Sequence, residues 1–222
     1  MLQERQVDIL FSIIEEYIKT ANPVSSGTIF ENGNFEVSCP TIRNEMASLT
    51  EQGYLVQPHT SAGRVPTEQG YRFFVDRFIA EYERDATKIS SKNSAKKARD
   101  IKIAARAISE QVNDAVVFLD TDGELKYIGL RKLFSNPEFK TSEAIVAIIG
   151  ELERFEGAAD ELTDSILYST DLVQVLIGSE NPFFERDDYS MIVSRSMGEF
   201  VSLLGPMRMD YRRNISILEK FL

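Results

Sequence analysis

The amino-acid sequence predicts an α+β protein with two domains, and three features of its 222 residues support this prediction. Apolar residues at the start of the chain recur at helical spacing, and a strand–loop–strand pattern follows over residues 53–66. From residue 115 onward, short apolar runs alternate with longer helical patterns. Residues 86–108 accumulate lysine and interrupt the apolar pattern, as a domain boundary does. We therefore predict domains at residues 1–85 and 109–222, joined by a basic linker or helix.

Composition is that of an ordinary soluble globular protein, with 43% hydrophobic and 27% charged residues. The single cysteine, Cys39, excludes an intramolecular disulfide and fits a reducing cytoplasm. No run approaches the roughly 18 apolar residues of a membrane helix. The first residues alternate polar with apolar side chains, unlike a signal peptide. We expect a cytoplasmic protein that does not enter a membrane.

Two helices are predicted before residue 35. Residues 2–19 form the first, because apolar residues that face a core recur at helical spacing: Val7, Leu10, Ile14, Tyr17 and Ile18. A loop closed by Pro23 follows. Ser26 is predicted to cap a short second helix that ends near Glu31, because Asn32-Gly33 stops helices.

A third helix begins at Ser38, a residue type that caps helix N-termini, and Pro40 is tolerated in its first turn. Its apolar residues fall at i, i+4 and i+7 and form one buried stripe: Ile42, Met46 and Leu49. We expect polar residues on the opposite side, with the arginine at its border: Thr41, Arg43, Asn44 and Ser48. Short polar residues beside an arginine can pair with base edges of DNA.

Gly53 is predicted to end this helix, and Tyr54 to Val56 reads as a strand. A loop leads from it to a second short strand at Val65 and contains candidate DNA contacts: His59, Thr60, Ser61 and Arg64. For His59, the only histidine, a DNA contact and a structural hydrogen bond are equally plausible. A helix followed by strand–loop–strand is the arrangement of a winged helix-turn-helix.

Thr67 is predicted to cap a fourth helix, whose aromatic stripe we interpret as core packing: Tyr71, Phe74, Val75, Phe78 and Tyr82. The charge then changes sign. Residues 1–85 carry a net charge of −6, residues 86–108 carry +6, and residues 109–222 carry −10. The basic segment is either a solvated linker or an arm that contacts phosphates through Lys92, Lys96, Lys97 and Arg99.

The second half begins with a predicted hairpin, in which two apolar runs, residues 116–119 and 125–128, flank Asp120-Thr121-Asp122-Gly123. These aspartates lack the further ligands of a calcium loop. The remaining pattern predicts helices at residues 141–156 and 160–168, strands near residues 173–178, 189–193 and 200–204, and an amphipathic helix near the end of the chain.

Several ungapped segments resemble the HrcA family of heat-inducible transcription repressors. In the first domain they are Thr41-Ile42-Arg43-Asn44-Glu45-Met46-Ala47, Gly53-Tyr54-Leu55, Pro58-His59-Thr60-Ser61-Ala62-Gly63-Arg64 and Gly70-Tyr71-Arg72-Phe73-Phe74-Val75-Asp76. In the second they are Gly129, Asn136-Pro137-Glu138-Phe139, Ile177-Gly178-Ser179-Glu180-Asn181 and Gly205-Pro206-Met207-Arg208-Met209-Asp210-Tyr211. The resemblance implies an N-terminal winged helix-turn-helix and a reduced GAF-like α+β domain for regulation and dimerisation.

Family membership would imply a dimer that binds an inverted-repeat operator in double-stranded DNA upstream of chaperone genes, with the chaperonin as a partner that maintains the active repressor. One departure concerns the second domain, because residues 109–129 leave room only for a hairpin where the family usually has an inserted dimerising domain. Two apolar patches are then candidates for the dimer contact, unless they fill the domain's own core: Phe183-Phe184, and the terminal stripe Ile215, Leu218 and Phe221.

Catalysis and cofactor binding are not expected. One histidine excludes multi-histidine metal sites, and the sequence has no Walker phosphate loop or dinucleotide fingerprint. Gly205-Pro206-Met207-Arg208 is either an anion site at a helix start or a turn between strand and helix. A ligand-sensing winged-helix regulator of other genes, acting through the acidic second domain, is the alternative function. An enzyme fused to a winged helix is a third possibility that no motif supports.

Overall fold

The computed structural model describes residues 2–33, 35–89, 100–119, 124–157, 173–196 and 199–221. The chain forms two compact units, Met1–Arg84 and Asp85–Leu222. Both helices and strands are present, so the predicted α+β class is confirmed. Among the described residues, no helix has the length and apolar character needed to cross a bilayer.

The first unit contains helices and a two-stranded antiparallel ribbon in the order of a winged helix-turn-helix. Its elements are α1 (Glu4–Thr20), α2 (Ser26–Asn32), α3 (Cys39–Glu51), β1 (Leu55–Val56), β2 (Val65–Pro66) and the part of α4 (Glu68–Ile89) that ends at Arg84. β1 pairs with β2 so that Leu55 lies opposite Pro66. α2 begins one residue earlier than predicted, because its cap is Ser25 rather than Ser26; the Ser25 Oγ accepts a hydrogen bond from the Thr28 backbone at 3.0 Å.

Burial of one face of α1 holds this unit together. Ile9, Leu10, Ile13 and Ile14 are fully buried, and α1 contacts both α2 and α3. Each such side chain contributes about 1.5–3 kcal/mol when it leaves water. The predicted inward positions of Val7, Leu10 and Ile14 are confirmed. The helix ends at Ala21, which adopts a left-handed backbone conformation with φ of 53°.

The second unit is an antiparallel sheet with helices on both faces. Its elements are α5 (Ile101–Gln111), β3 (Ala115–Leu119), β4 (Leu125–Ile128), α6 (Leu130–Leu133), a 3-10 turn (Pro137–Phe139), α7 (Ser142–Gly157), β5 (Val173–Ile177), a second 3-10 turn (Gly178–Glu180), β6 (Tyr189–Ser196), β7 (Glu199–Pro206) and α8 (Tyr211–Phe221). The five strands described lie in the order β4-β3-β7-β6-β5, and every neighbouring pair is antiparallel. The predicted hairpin is the β3–β4 pair.

Alternate residues of each strand face opposite sides of this sheet. Val117, Met191 and Leu204 pack in one core with Ile148 and Phe155 of α7. The other face carries the residues between them and is covered by α5 and α8, which contact β3 and β6 respectively. The Tyr211 hydroxyl of α8 donates a 2.9 Å hydrogen bond to Ser190 on this face.

The two apolar patches considered for dimerisation belong to these cores. Phe184 is only 8% exposed and packs edge-to-face against Phe155 and Tyr189. Ile215 and Leu218 of α8 are buried. For Phe184, Ile215 and Leu218 the structure therefore favours the alternative in which they fill the core of their own domain. The side chain of Phe221 lies outside the described residues.

Residues 101–108, which the sequence analysis grouped with the basic segment, are the first turns of α5 in the second unit. Ile101, Ala104, Ala105 and Ile108 are buried, and α5 contacts β3, β4 and α8. A helix was one of the two alternatives predicted for this segment, but its place in the core of the second unit was not predicted, because Lys102 and Arg106 interrupt the apolar stripe. The candidate phosphate contacts Lys92, Lys96, Lys97 and Arg99, the predicted helix at residues 160–168 and the turn at residues 120–123 lie outside the described residues.

Asp114 is a buried acid that connects the start of β3 to α8. Its Oδ2 accepts a 2.7 Å hydrogen bond from Asn214 Nδ2. The carboxylate also lies against β7, where a Cβ on Gly205 would come within 2.8 Å of Asp114 Cγ. Burial raises the pKa of Asp114 to about 6, although the hydrogen bond from Asn214 and the charge of Arg208 oppose this rise.

The raised pKa predicts that Asp114→Asn changes how stability depends on pH. Because the folded state holds this proton more tightly than the unfolded chain, the stabilisation is complete below pH 3.8 and is lost as the pH rises through about 6. The free energy of unfolding of the variant relative to the natural chain should therefore rise by about 1–3 kcal/mol between pH 4 and 7.5. Urea unfolding across this range measures the difference, with the exposed Asp187→Asn as control. Parallel curves for variant and natural chain would contradict the prediction.

Candidate nucleic-acid interface

α3 is fixed in rotation by its buried stripe. Ile42 and Leu49 are fully buried and Met46 nearly so, as predicted from their spacing. The predicted cap is also present, because Ser38 Oγ accepts a hydrogen bond from the Thr41 backbone at 3.4 Å. The opposite side of the first turns carries the exposed side chains of Arg43 and Asn44. These are the two predicted contacts that the structure leaves fully available on α3.

Ser38 and Thr41 have a different position at the start of the helix. Their hydroxyl groups lie 3.0 Å apart and hydrogen-bond to each other, and Thr41 is half-buried. Ser38 is exposed. Hydroxyl groups at a helix N-terminus suit a phosphate oxygen better than a base edge, because backbone N–H groups there also point outward.

Ser48 does not lie on the exposed side, which corrects the sequence-based expectation. Its Oγ accepts hydrogen bonds from Gln6 Nε2 at 3.3 Å and from Gln52 Nε2 at 3.1 Å. Gln6 belongs to α1, so Ser48 holds the two helices together. A second contact of this kind joins Arg5 to Glu45, with Arg5 Nε donating to Glu45 Oε1 at 2.9 Å. Periodicity could not show this, because Gln6 is 42 residues away in sequence.

The wing consists of β1, β2 and the loop between them, and one glutamine side chain holds the two ends of this loop's turn together. Gln57 Nε2 donates to the carbonyl oxygens of Thr60 and Ala62, at 3.0 and 2.9 Å. His59, Thr60 and Ser61 are exposed at its tip. The His59 carbonyl accepts a 2.8 Å hydrogen bond from the Ala62 backbone, so the His59 backbone shapes the turn while the imidazole faces solvent. Gln57 could not be recognised from the sequence, because a glutamine beside a strand carries no distinctive signal.

The base of the wing is attached to the loop between α1 and α2. The backbones of Val24 and Arg64 exchange hydrogen bonds of 2.9 and 2.8 Å. Gly63 permits this close approach, since an added Cβ would collide with the Val24 carbonyl and lie 2.7 Å from the carbonyl carbon of Pro23. The side chain of Arg64 is half-buried, and its Nε donates to Thr50 Oγ1 of α3 at 2.9 Å.

Between the wing and the helices lies a cleft of about 350 Å³. It brings together Arg43 and Arg64, which are 21 positions apart in sequence, and surrounds them with hydroxyl and amide groups: Ser25, Ser26, Gln57, Thr60 and Ser61. Two guanidinium groups and several neutral donors form a surface suited to an anion such as a backbone phosphate. This cleft concentrates positive charge in a unit that is acidic as a whole.

A metal site is not supported by the described part of the chain, in which no group of three or more His, Cys, Asp or Glu side chains is arranged to hold an ion. Cys39 is half-buried, and its Sγ lies 3.6 Å from the Ser26 hydroxyl as a weak donor.

Comparison with known proteins agrees with the resemblance seen in the sequence. A family model described as "HrcA protein C terminal domain" matches residues 72–215. The chain belongs to the HrcA family. The heat-inducible transcription repressor HrcA of Acetivibrio thermocellus is 36% identical over 220 residues, which cover 98% of this chain and 58% of that protein. The HrcA of Thermoanaerobacter sp. (strain X514) is 51% identical over 89 residues, 40% of this chain and 26% of that protein.

The chain thus spans less than two thirds of the length of these HrcA relatives. A solved structure described as a hypothetical protein at 2.2 Å resolution has the same fold, with a TM-score of 0.76 and 19% identity. The match covers 100% of this chain and 96% of that one.

Two HrcA-like segments of the second unit meet around Arg208. This side chain forms an ion pair with Glu138, in which Arg208 Nη2 lies 3.0 Å from Glu138 Oε2, and it also approaches Asn136 Oδ1 at 3.4 Å. The guanidinium is therefore occupied within the unit. This favours the turn between β7 and α8 over an anion site, the two alternatives that the sequence left open.

Gly63→Ala should destabilise the first unit, because the added methyl group meets backbone atoms that cannot move away easily. We expect a loss of about 1–3 kcal/mol in the free energy of unfolding. Gly27→Ala is a matched control, since its Cβ would meet only Ser25 Oγ at 3.5 Å. Hydrogen exchange measured by mass spectrometry on peptides of α1 and α3 reports this unit separately. Equal protection in the two variants would contradict the predicted close approach.

Proposed function

We propose that this chain is a cytoplasmic transcription repressor of heat-shock (chaperone) genes that binds an inverted-repeat operator in double-stranded DNA as a homodimer. The observation that carries the proposal is the cleft in which Arg43 of α3 and Arg64 of the wing line one surface. The names of the HrcA relatives, heat-inducible transcription repressors, support the assignment. The chaperonin is the proposed partner that keeps the repressor active, as the family resemblance implies.

In this proposal α3 enters the major groove, whose width admits one helix. Arg43 would donate two hydrogen bonds to guanine O6 and N7, and Asn44 would pair with adenine in the same bidentate way. Both side chains are exposed on the side opposite the buried stripe. We do not propose this role for Ser48, because its hydroxyl oxygen already accepts hydrogen bonds from Gln6 of α1 and from Gln52.

Phosphates would be contacted around these base-reading residues. Ser38 and Thr41 lie at the start of α3, and His59, Thr60 and Ser61 lie at the tip of the wing. The lysines and arginine at residues 92–99 remain proposed phosphate contacts that would compensate for the acidic first unit. Since phosphate contacts supply most non-specific affinity, so acidic a protein should bind unrelated DNA weakly.

A two-fold symmetric protein is needed to occupy an inverted repeat, because one recognition helix reads one half-site. Among the described residues of the second unit, α7 exposes two apolar side chains on one side, Val146 at 68% and Ile149 at 41%. Gly150 beside them has open space around it, so a second helix can approach closely. We propose this α7 surface, Val146, Ile149 and Gly150, as the contact with a second copy.

Base reading is tested by Arg43→Ala and Asn44→Ala. Each should weaken operator binding by about 1–3 kcal/mol and relax the preference at particular base pairs. Ser48→Ala is the matched control on the same helix and should keep the natural sequence preference. Binding competitions against operator variants measure these effects without any added ligand. Binding that requires a small molecule would favour the alternative, a ligand-sensing regulator. Unchanged preference in both variants would contradict the assignment of α3.

Dimerisation is tested by the double variant Val146→Asp, Ile149→Asp, which places charge on the α7 surface. Because both side chains are exposed, the unit should still fold, and sedimentation velocity should show a monomer. Ile103→Asp on α5 is the matched control, since Ile103 is an apolar residue with 63% exposure outside this surface. A double variant that remains dimeric, or a natural chain that is monomeric on a full operator, would contradict the proposed contact.

A further inference from the structure

Thr50 connects the recognition helix to the wing. Its Oγ1 donates to the carbonyl oxygen of Met46 at 2.8 Å, one turn earlier in α3, and accepts from Arg64 Nε at 2.9 Å. The hydroxyl proton is therefore used within the helix, and an oxygen lone pair receives the arginine N–H. Both side chains are half-buried. We call this Thr50–Arg64 hydrogen bond the brace.

Arg64 is held from two sides at once. Its backbone is paired with Val24 in the loop before α2, and its side chain is bonded to Thr50 near the end of α3. The same side chain lines the cleft that Arg43 also lines. The brace limits the conformations open to the long Arg64 side chain, which would otherwise rotate freely.

We propose that Thr50 is a positioning residue for specific DNA binding: through Arg64 Nε it fixes the wing relative to α3, so that a backbone phosphate in the cleft and the base edges beneath α3 are contacted in one register. This inference rests on the proposed DNA-binding function. It changes the role of Arg64, which the sequence alone presents only as a candidate DNA contact in the loop before Val65. Holding the guanidinium in place before binding avoids the ordering cost of a long side chain.

A double-mutant cycle on the 222-residue chain distinguishes an Arg64 positioned by Thr50 from an Arg64 that contacts DNA independently. Thr50→Val removes the hydroxyl at nearly constant volume and should weaken operator binding about threefold to tenfold. Thr50→Ser keeps the hydroxyl and should restore binding. Arg64→Ala should weaken binding further, and the combination with Thr50→Val should be no weaker than Arg64→Ala alone. Thr20→Val is the matched control, because Thr20 Oγ1 also donates to a carbonyl one turn earlier, Glu16, at 2.9 Å.

Hydroxyl-radical footprinting supplies a readout that a general loss of stability does not mimic. Thr50→Val should lose protection of the sugar-phosphate backbone beneath the wing while protection around α3 persists. If Thr50→Val binds and footprints like the natural chain, while Arg64→Ala lowers the log–log salt slope by about 0.9 as one lost phosphate contact does, the inference is overturned.

Amide hydrogen exchange in the free protein tests the brace without DNA. The N–H groups of Val24 and Arg64, which form the backbone bridge, should exchange faster in Thr50→Val than in Thr20→Val. Unchanged exchange at both amides overturns the inference whatever the DNA result. A natural chain that binds no inverted repeat would instead refute the proposed function, and faster exchange in Thr50→Val would still support the brace.

Discussion

Burial of Ile42, Met46 and Leu49 is the constraint on which the proposed DNA-binding surface of the first unit depends. A helix that buries one stripe has a single rotation about its axis, and that rotation decides which side chains reach a ligand. The ion pair Arg5–Glu45 and the hydrogen bond Gln6–Ser48 tie the same helix to α1 at its flank. Arg43 and Asn44 are exposed because the packing of the apolar stripe turns their side of α3 toward solvent, and not only because their side chains are polar. The wing then adopts a fixed position because Val24 and Thr50 hold Arg64 from opposite sides.

The distribution of charge over the first unit relates this packing to the proposed function. The chain carries a net charge of −10, so the proposed affinity for DNA cannot come from total charge. Two arginines in one cleft, with hydroxyl and amide donors around them, concentrate attraction where the phosphate would lie. Under the proposed function, specific binding depends on the placement of a few groups, which Gly63, Thr50 and Gln57 hold in position.

The sequence predicted most of this fold and part of the site. Regular spacing revealed the buried stripe of α3, its cap at Ser38 and the β3–β4 hairpin, because each depends on neighbouring residues alone. Regular spacing could not show that Ser48 faces α1, since that contact depends on Gln6 in another helix. Nor could it decide whether Phe184, Ile215 and Leu218 face a partner or their own sheet, because an amphipathic pattern is the same in both cases. The brace could not be predicted either, since no sequence pattern indicates that a threonine and an arginine 14 residues apart form a hydrogen bond.

The central claim is that α3 and the wing form one DNA-binding surface. Titrating the isotope-labelled chain with a duplex that carries one half of its inverted repeat, and following amide chemical shifts by NMR, tests this most directly. The account predicts that the largest chemical-shift changes fall within residues 38–47 and 57–64. The changes in both ranges should reach half-saturation at the same DNA concentration. Shifts concentrated in the second unit, or changes in α3 that saturate separately from those in the wing, would contradict it.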